Sequence, residues 1–303
     1  LDIWQNIKNC WRKIQSEKSV NTMLLQTFCH IPGIGEKKER KIWELGILSW
    51  QDALQDPSFF QLFPPPLSRR AYTYLLRSFE KYEKEEVAFF DHLLGNFNRW
   101  RIFPQFRHLT AFLDIETTGM GPDAYITVAT LYDGKKVKTY VFGINLDELV
   151  QDLNHYKILI TFNGKSFDIP FIERFFGIEL CQVHIDLRFV LKSLGLRGGL
   201  KICERAIGID RGPLRGIGGF EAVLLWQKYL DGCPEALETL LAYNVADTVN
   251  LEKLMIFAYN QKVNLHALPF PLLSEKPQRL TIPYRVYPEV VREVTYEKLR
   301  LYR

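Results

Sequence analysis

Asp114 and Glu116, in the stretch "AFLDIETTGM", are separated by one apolar residue, so on a β-strand both carboxylates project from the same face. Two like charges on one face repel unless a cation lies between them. Asp168 closes "FNGKSFD", where a strand ending in Asn163 and Gly164 passes into a helix. Asp247 ends "YNVAD" within the helical run "EALETLLAYNVADTVNLEKL", four residues after Tyr243 and on the same helical face. These four acids, drawn from a strand and two helices, make a hard oxygen site suited to Mg²⁺ or Mn²⁺. Asp186 in "HIDLR" stands at a strand end and could approach the site, but it more readily caps the following helix. His184 is a reserve candidate base. Asn163, Lys165, Arg197 and Lys201 are candidates for phosphate contacts.

The elements that must position these groups can be read from periodicity. "LTAFLDIET", "YITVATLYDGKKV" and "KTYVFGINL" predict three consecutive strands, with Asp133-Gly134 as the hairpin turn between the second and third. "KILITFNG" then reads as a buried strand, "KSFDIPFIERFFG" as a helix and "QVHIDL" as a further strand, followed mostly by helix to about Asn260. A three-strand meander followed by two strands with crossover helices is the element order of a ribonuclease-H-like α/β domain, a mixed five-stranded sheet with flanking helices. It is preceded by an all-α region, in which "LSRRAYTYLLRSFEKYEKEEVAFFDHLL" carries apolar residues at helical spacing. The expected organisation is a helical region over 1–107, the α/β domain over 108–258, and a basic tail or closing element over 259–303 with a short strand and a helix.

"DIETTG", "NGKSFD" and "YNVAD" resemble, in order and context, the three exonuclease motifs of the DEDD superfamily of 3′-to-5′ exonucleases. They look most like the bacterial ribonuclease-H-like exonucleases and the proofreading domains of family B DNA polymerases. "RGGLKICERAIGIDR" is similar to the segment that precedes the third motif in the bacterial family. The resemblance implies a two-metal site for phosphodiester hydrolysis. In it Asp114 would bridge two Mg²⁺ or Mn²⁺ ions, Glu116 and Asp247 would complete the site of the attacking water, and Asp168 would act through a metal-bound water. Tyr243 would orient the nucleophile. It stands where many superfamily members have His, and a phenol with an ordinary pKa of ~10 is a poor base at neutral pH.

A second segment, "HIPGIGEKKERKIWELGI", resembles a helix-hairpin-helix motif over about Thr22 to Ile47. Gly33 and Gly35 would let backbone approach a phosphate, the amides opening the next helix form an anion site, and Lys37, Lys38 and Lys41 add charge. Such contacts read the nucleic-acid backbone without reading bases. Trp43 and Trp50 read as core. The charge distribution agrees: Lys and Arg against Asp and Glu number 16 to 12 over residues 1–107, 15 to 19 over 108–255, and 8 to 4 over 256–303. An acidic middle suits cations and basic ends suit a polyanion.

The 303 residues, 47% of them hydrophobic, are ample for packed cores. No apolar run is long enough to span a membrane and no signal peptide is evident, so a soluble cytoplasmic protein is expected. Cys10, Cys29, Cys181, Cys203 and Cys233 lie at least 19 residues apart, a spacing that fits reduced thiols rather than a zinc site. The expected function is metal-dependent 3′-to-5′ exonuclease action on DNA, at a single strand or the 3′ end of a duplex, in repair or processing. RNA is the alternative substrate, a structure-specific endonuclease or a non-catalytic DNA-binding scaffold the alternative activities, and the bacterial family suggests a repair helicase as companion.

Overall fold

The computed structural model describes residues 23–265, 270–274 and 282–301. Cys10, Thr22 and residues 279–281 of the tail lie outside the described residues. The chain divides into two compact units, residues 1–107 with 263–273, and residues 108–262 with 274–303. The tail expected to begin at 259 is thus shared between them.

The first unit is helical: α1 (Glu36–Glu44), α2 (Trp50–Gln55), α3 (Pro57–Gln61), α4 (Pro65–Glu83) and α5 (Val87–Asn98). Local chemistry sets several of these starts. Ser49 and Asp52 form a reciprocal capping box at α2, and the Asp56 side chain accepts the Ser58 amide just before α3. Pro65 opens α4, where its missing N–H costs nothing. Glu85, with φ of 51°, breaks the long helical spacing into α4 and α5. Trp50 is fully buried, stacks on Phe90 at 5.9 Å and donates its indole N–H to the Thr27 carbonyl, so it is a core residue as expected.

The second unit carries β1 (Thr110–Thr117), β2 (Ile126–Tyr132), β3 (Val137–Val141), β4 (Ile158–Thr161) and β5 (Val183–Asp186) in the order β3-β2-β1-β4-β5. β1 pairs antiparallel with β2 and parallel with β4. Its helices are α6 (Glu148–Leu153), α7 (Asp168–Phe176), α8 (Leu187–Lys192), α9 (Leu200–Ala206), α10 (Gly219–Leu230), α11 (Pro234–Leu265, of which 263–265 fall in the first unit) and α12 (Pro288–Leu301). This is the expected five-stranded, ribonuclease-H-like sheet. β3 stops earlier than its apolar pattern suggests because the Val141 carbonyl turns to accept the amides of Ile144, Asn145 and Leu146. The described parts of the tail contain no strand, and the last of them, 282–301, ends in α12.

Strand parity sorts the two faces. Ala111, Leu113 and Ile115 pack with Leu149, Leu153, Phe171 and Ile172 of α6 and α7. On the other face Val128 and Val141 pack with Leu225 and Trp226 of α10, Leu240 and Tyr243 of α11, and Val290 and Val294 of α12. Asp114 lies opposite Thr130, and Glu116 opposite Val128, so both acids share the face covered by α11.

Candidate metal centre and active site

Alternation along β1 aims Asp114 and Glu116 at α11, and a bulge between Glu116 and Thr117 ends the regular pairing there. From α11, Asp247 meets them: one ligand oxygen from each of Asp114, Glu116 and Asp247 falls within 4.8 Å of the others. Asp168 is not within that trio. As the first residue of α7 it reaches β1 from the other side, and its Oδ1 accepts the Ile115 amide at 3.2 Å, between the two strand acids. Glu116, Asp168 and Asp247 are all buried.

Burial and mutual repulsion act together here. Burial, then Asp247 and Glu116, hold the Asp114 carboxyl well above the usual carboxylate range. Burial, then Asp247, does the same to Glu116. Burial pushes Asp168 up to about 7, partly opposed by the Ile115 amide. Tyr243 is held well above its ordinary value by burial and then by Asp247, so at neutral pH its hydroxyl keeps its proton.

Three groups that the motifs did not single out complete the cluster. Asn244 donates Nδ2 to Asp114 Oδ2 at 2.7 Å and accepts the Thr130 hydroxyl with its own oxygen, which fixes the carboxylate from α11. Arg211 forms an ion pair with Asp247 and forks onto Glu204 with Nε and Nη2 at 2.5 and 2.8 Å. Glu204 is fully buried and also accepts Asn250 Nδ2 at 2.9 Å. The adjacency of Asn244 to Tyr243 was the one available signal. Glu204 and Arg211 sit in the "CERAIGIDR" segment with nothing local to mark their pairing.

The remaining expected residues divide. Lys201 is partly buried and points inward: its Nζ donates to the Tyr243 hydroxyl at 2.8 Å and to the Ile217 carbonyl. Burial lowers its pKa. Lys165 and Arg197 are exposed. Asp186 caps α8 by accepting the Arg188 amide, and it also binds the Asn163 amide at 2.8 Å and the Lys165 amide at 3.1 Å. Asp186 therefore holds the loop after β4, in which Asn163 adopts a left-handed φ of 66° and accepts the Arg188 guanidinium. Gly164 is obligatory there, because a Cβ would stand 2.1 Å from Thr161 Oγ1. His184 engages that same Thr161 hydroxyl at 2.8 Å, on β4.

In the helical unit the hairpin residues adopt a tight turn. Gly33 has φ of 97°, and a Cβ on it would meet Leu67 Cδ1 at 2.9 Å. Gly35 is the N-cap of α1 with an ordinary φ of −90° and open space around its Cα. Lys37, Lys38 and Lys41 are exposed, and Lys38 Nζ donates to the Gly33 carbonyl at 2.9 Å. Among the described residues the element before the turn is a single 3-10 turn, Leu24–Gln26, in place of a full α-helix. Glu39, buried on the inner face of α1, ties the approach together by accepting the Phe28 and Cys29 amides and the Arg101 guanidinium. Cys29, Cys181, Cys203 and Cys233 are free thiols.

The carboxylate trio, the sheet order and the crossing helix define the second unit as a ribonuclease-H-like domain. Residues 111–259 match the model of the RNase_H superfamily. Among solved structures, the chain is similar to the family B DNA polymerase from the hyperthermophilic archaeon Pyrobaculum calidifontis. The identity is 13% and the TM-score 0.40, over 51% of this chain and 24% of the polymerase, so the match spans about a quarter of that protein. A comparison with curated proteins gives no match. No helix among the described residues is long and apolar enough to cross a membrane.

The donor set fits a hard divalent cation. Three carboxylates offer oxygen atoms within reach of one another, with no thiol or imidazole in the group, in a buried place where their charges repel.

Proposed function

We propose that the protein is a metal-dependent 3′-to-5′ exonuclease that hydrolyses phosphodiester bonds at DNA ends, using a pair of Mg²⁺ or Mn²⁺ ions. The convergence of Asp114, Glu116 and Asp247, with Asp168 alongside and Tyr243 four residues before Asp247, carries this reading. Asp114, Glu116 and Asp247 would hold the metal, with Asp168 supporting it from α7. Bound there, divalent ions polarise phosphoryl oxygens and activate water near neutral pH. Tyr243, whose oxygen accepts a hydrogen bond from Lys201, keeps its own proton to donate toward the attacking water or the phosphate. Asn244 keeps Asp114 in its ligand orientation.

DNA is favoured over RNA by the resemblance of the hairpin to helix-hairpin-helix modules, which mostly serve DNA proteins; its exposed Gly35 N-cap and Lys37, Lys38 and Lys41 suit binding to the phosphates of either nucleic acid. The direction of digestion rests on the motif resemblance. The deciding experiment incubates end-labelled linear DNA and RNA, and a circular single strand, with the protein in Mn²⁺ and in EDTA. A ladder shortening from the 3′ end of DNA, lost in EDTA and absent on the circle, is expected. Cleavage of the circle would make the protein an endonuclease, preferential digestion of RNA would change the substrate, and no metal-dependent cleavage at all would leave a binding scaffold.

A further inference from the structure

Arg211 stands in an unusual place for a permanent cation. It follows α9, between Gly208 and Gly212, whose φ values of 82° and 52° let the chain turn sharply at both sides. Its side chain is 7% exposed. One edge of the guanidinium is fastened to Glu204 by two hydrogen bonds, and Asn250 holds Glu204 in turn. The remaining nitrogen, Nη1, lies against Asp247 Oδ1. Asp247 is one of the three carboxylates whose oxygens converge. A guanidinium does not deprotonate in a protein, so this is a fixed positive charge on an oxygen of the candidate metal site.

We propose that Arg211 is a resident counter-ion that holds Asp247 until a divalent ion takes that carboxylate, and that its freed Nη1 then binds the phosphate of the strand end, so that metal and nucleic acid load cooperatively. This inference rests on the metal-dependent nuclease reading. Two cations on one carboxylate repel, so a divalent ion at Asp247 weakens the Arg211 contact. The Glu204 anchor makes the displacement a small swing of one nitrogen instead of the loss of the side chain. A freed N–H in a buried place needs a new acceptor, and a phosphate is the anionic acceptor that guanidinium matches best. Each ligand then raises the affinity of the other by the same factor. The alternative role is a fixed brace between α9 and α11 that takes no part in loading.

The test is Mn²⁺ binding by the full chain, followed by electron paramagnetic resonance, with and without a short DNA oligonucleotide ending in nuclease-resistant phosphoramidate linkages. Wild type should bind Mn²⁺ several-fold more tightly when the oligonucleotide is present. Arg211→Met keeps the apolar stem and removes the charge. Without DNA it should bind Mn²⁺ about 5- to 10-fold more tightly than wild type, the scale of one neighbouring charge in a partly screened site, and the effect of the oligonucleotide should fall to within about twofold. Because Glu204 would lose its cationic partner and keep only Asn250, circular dichroism must show the fold retained. Arg211→Lys keeps a charge for Glu204 but cannot span both acids, and it should show the same direction at roughly half the logarithmic size. Unchanged or weaker Mn²⁺ binding in a folded variant, or undiminished cooperativity, would make Arg211 a brace and overturn the proposal. Absence of Mn²⁺ binding in wild type and variants alike would overturn the nuclease reading itself.

Discussion

Asp168→Asn separates the charge of a candidate metal ligand from its structural contact. Asp168 is 3% exposed, and its Oδ1 accepts the Ile115 amide, a contact that the amide oxygen of Asn can keep. Burial lifts its carboxyl from 3.8 to about 7. A raised carboxyl pKa means that the folded protein binds the proton more tightly than the unfolded chain. Stability therefore falls as pH rises from about 4 to about 7 and stays at the lower level above that. The shift is about 3 units, 7 less 3.8, and at ~1.4 kcal/mol per unit it bounds the metal-free penalty of ionised Asp168 at ~4 kcal/mol. At pH 4 most of this penalty is gone, leaving well under ~1 kcal/mol by the same linkage.

In EDTA at pH 8, Asp168→Asn should therefore melt higher than wild type, by up to roughly 10 °C for a unit of this size. At pH 4 the two should nearly coincide. Mn²⁺ at pH 8 should raise wild type more than the variant, since it relieves a repulsion the variant lacks. Scanning calorimetry of both proteins across pH, with and without Mn²⁺, measures this directly. A variant that melts lower than wild type at pH 8, or by the same margin at pH 4 and pH 8, would mean that Asp168 is a helix-start acid and not a strained ligand.

Three further outcomes are expected. Asp114→Asn should lower turnover on a DNA end by several orders of magnitude while leaving the metal-free fold at least as stable, because the amide oxygen still accepts Asn244; marked destabilisation in EDTA would make Asp114 structural. Tyr243→Phe should slow single-turnover cleavage by roughly 10- to 10³-fold with little change in DNA affinity, and an unchanged rate would remove the hydroxyl from the chemistry. Gly35→Val adds bulk at the start of α1 without strain, since its φ is −90° and no atom lies within 4 Å of the added Cβ. It should weaken binding to long DNA and flatten the slope of log K against log salt by ~0.7 to 0.9 for each phosphate the hairpin no longer holds. Unchanged affinity and slope would reduce the hairpin to a turn. Deleting residues 1–107 would test this less cleanly, because 263–273 belong to the same compact unit.

What could be read from the sequence follows from how far apart the informative residues lie. Asp114 and Glu116 share a face by strand alternation, and Tyr243 and Asp247 by helix periodicity, so both pairings are local and the structure brings the two pairs together. The sheet followed from counting strands and crossovers. α6 did not, because its six residues are too few to show a period. β3 was overextended because the turn after Val141 is dictated by hydrogen bonds to its carbonyl, while the residues themselves remain apolar. Arg211 was hidden among neighbours of similar composition. Arg215, four residues on, has an exposed salt bridge to Asp210 of the kind worth little, whereas Arg211 is buried between Glu204 and Asp247. Nothing in local pattern distinguishes the two arginines, since the difference lies in which one α11 covers.

That buried pairing changes what the acidic middle of the chain signifies. An excess of four acids over residues 108–255 could have been spread over a solvated surface. Instead Asp114, Glu116, Asp168, Asp247 and Glu204 gather with two cations, Lys201 and Arg211, five negative charges against two if all ionise. Arg211 is already shared between Glu204 and Asp247, and Lys201 directs its hydrogen bonds to Tyr243 and Ile217. The remaining imbalance falls on Asp114, Glu116 and Asp168, the three acids whose carboxyls are held above their ordinary range. In the metal-free protein protons make up part of this deficit, and a divalent ion would displace them. Metal binding should then release protons near neutral pH and tighten as pH rises, a coupling that follows from the charge count rather than from any one residue.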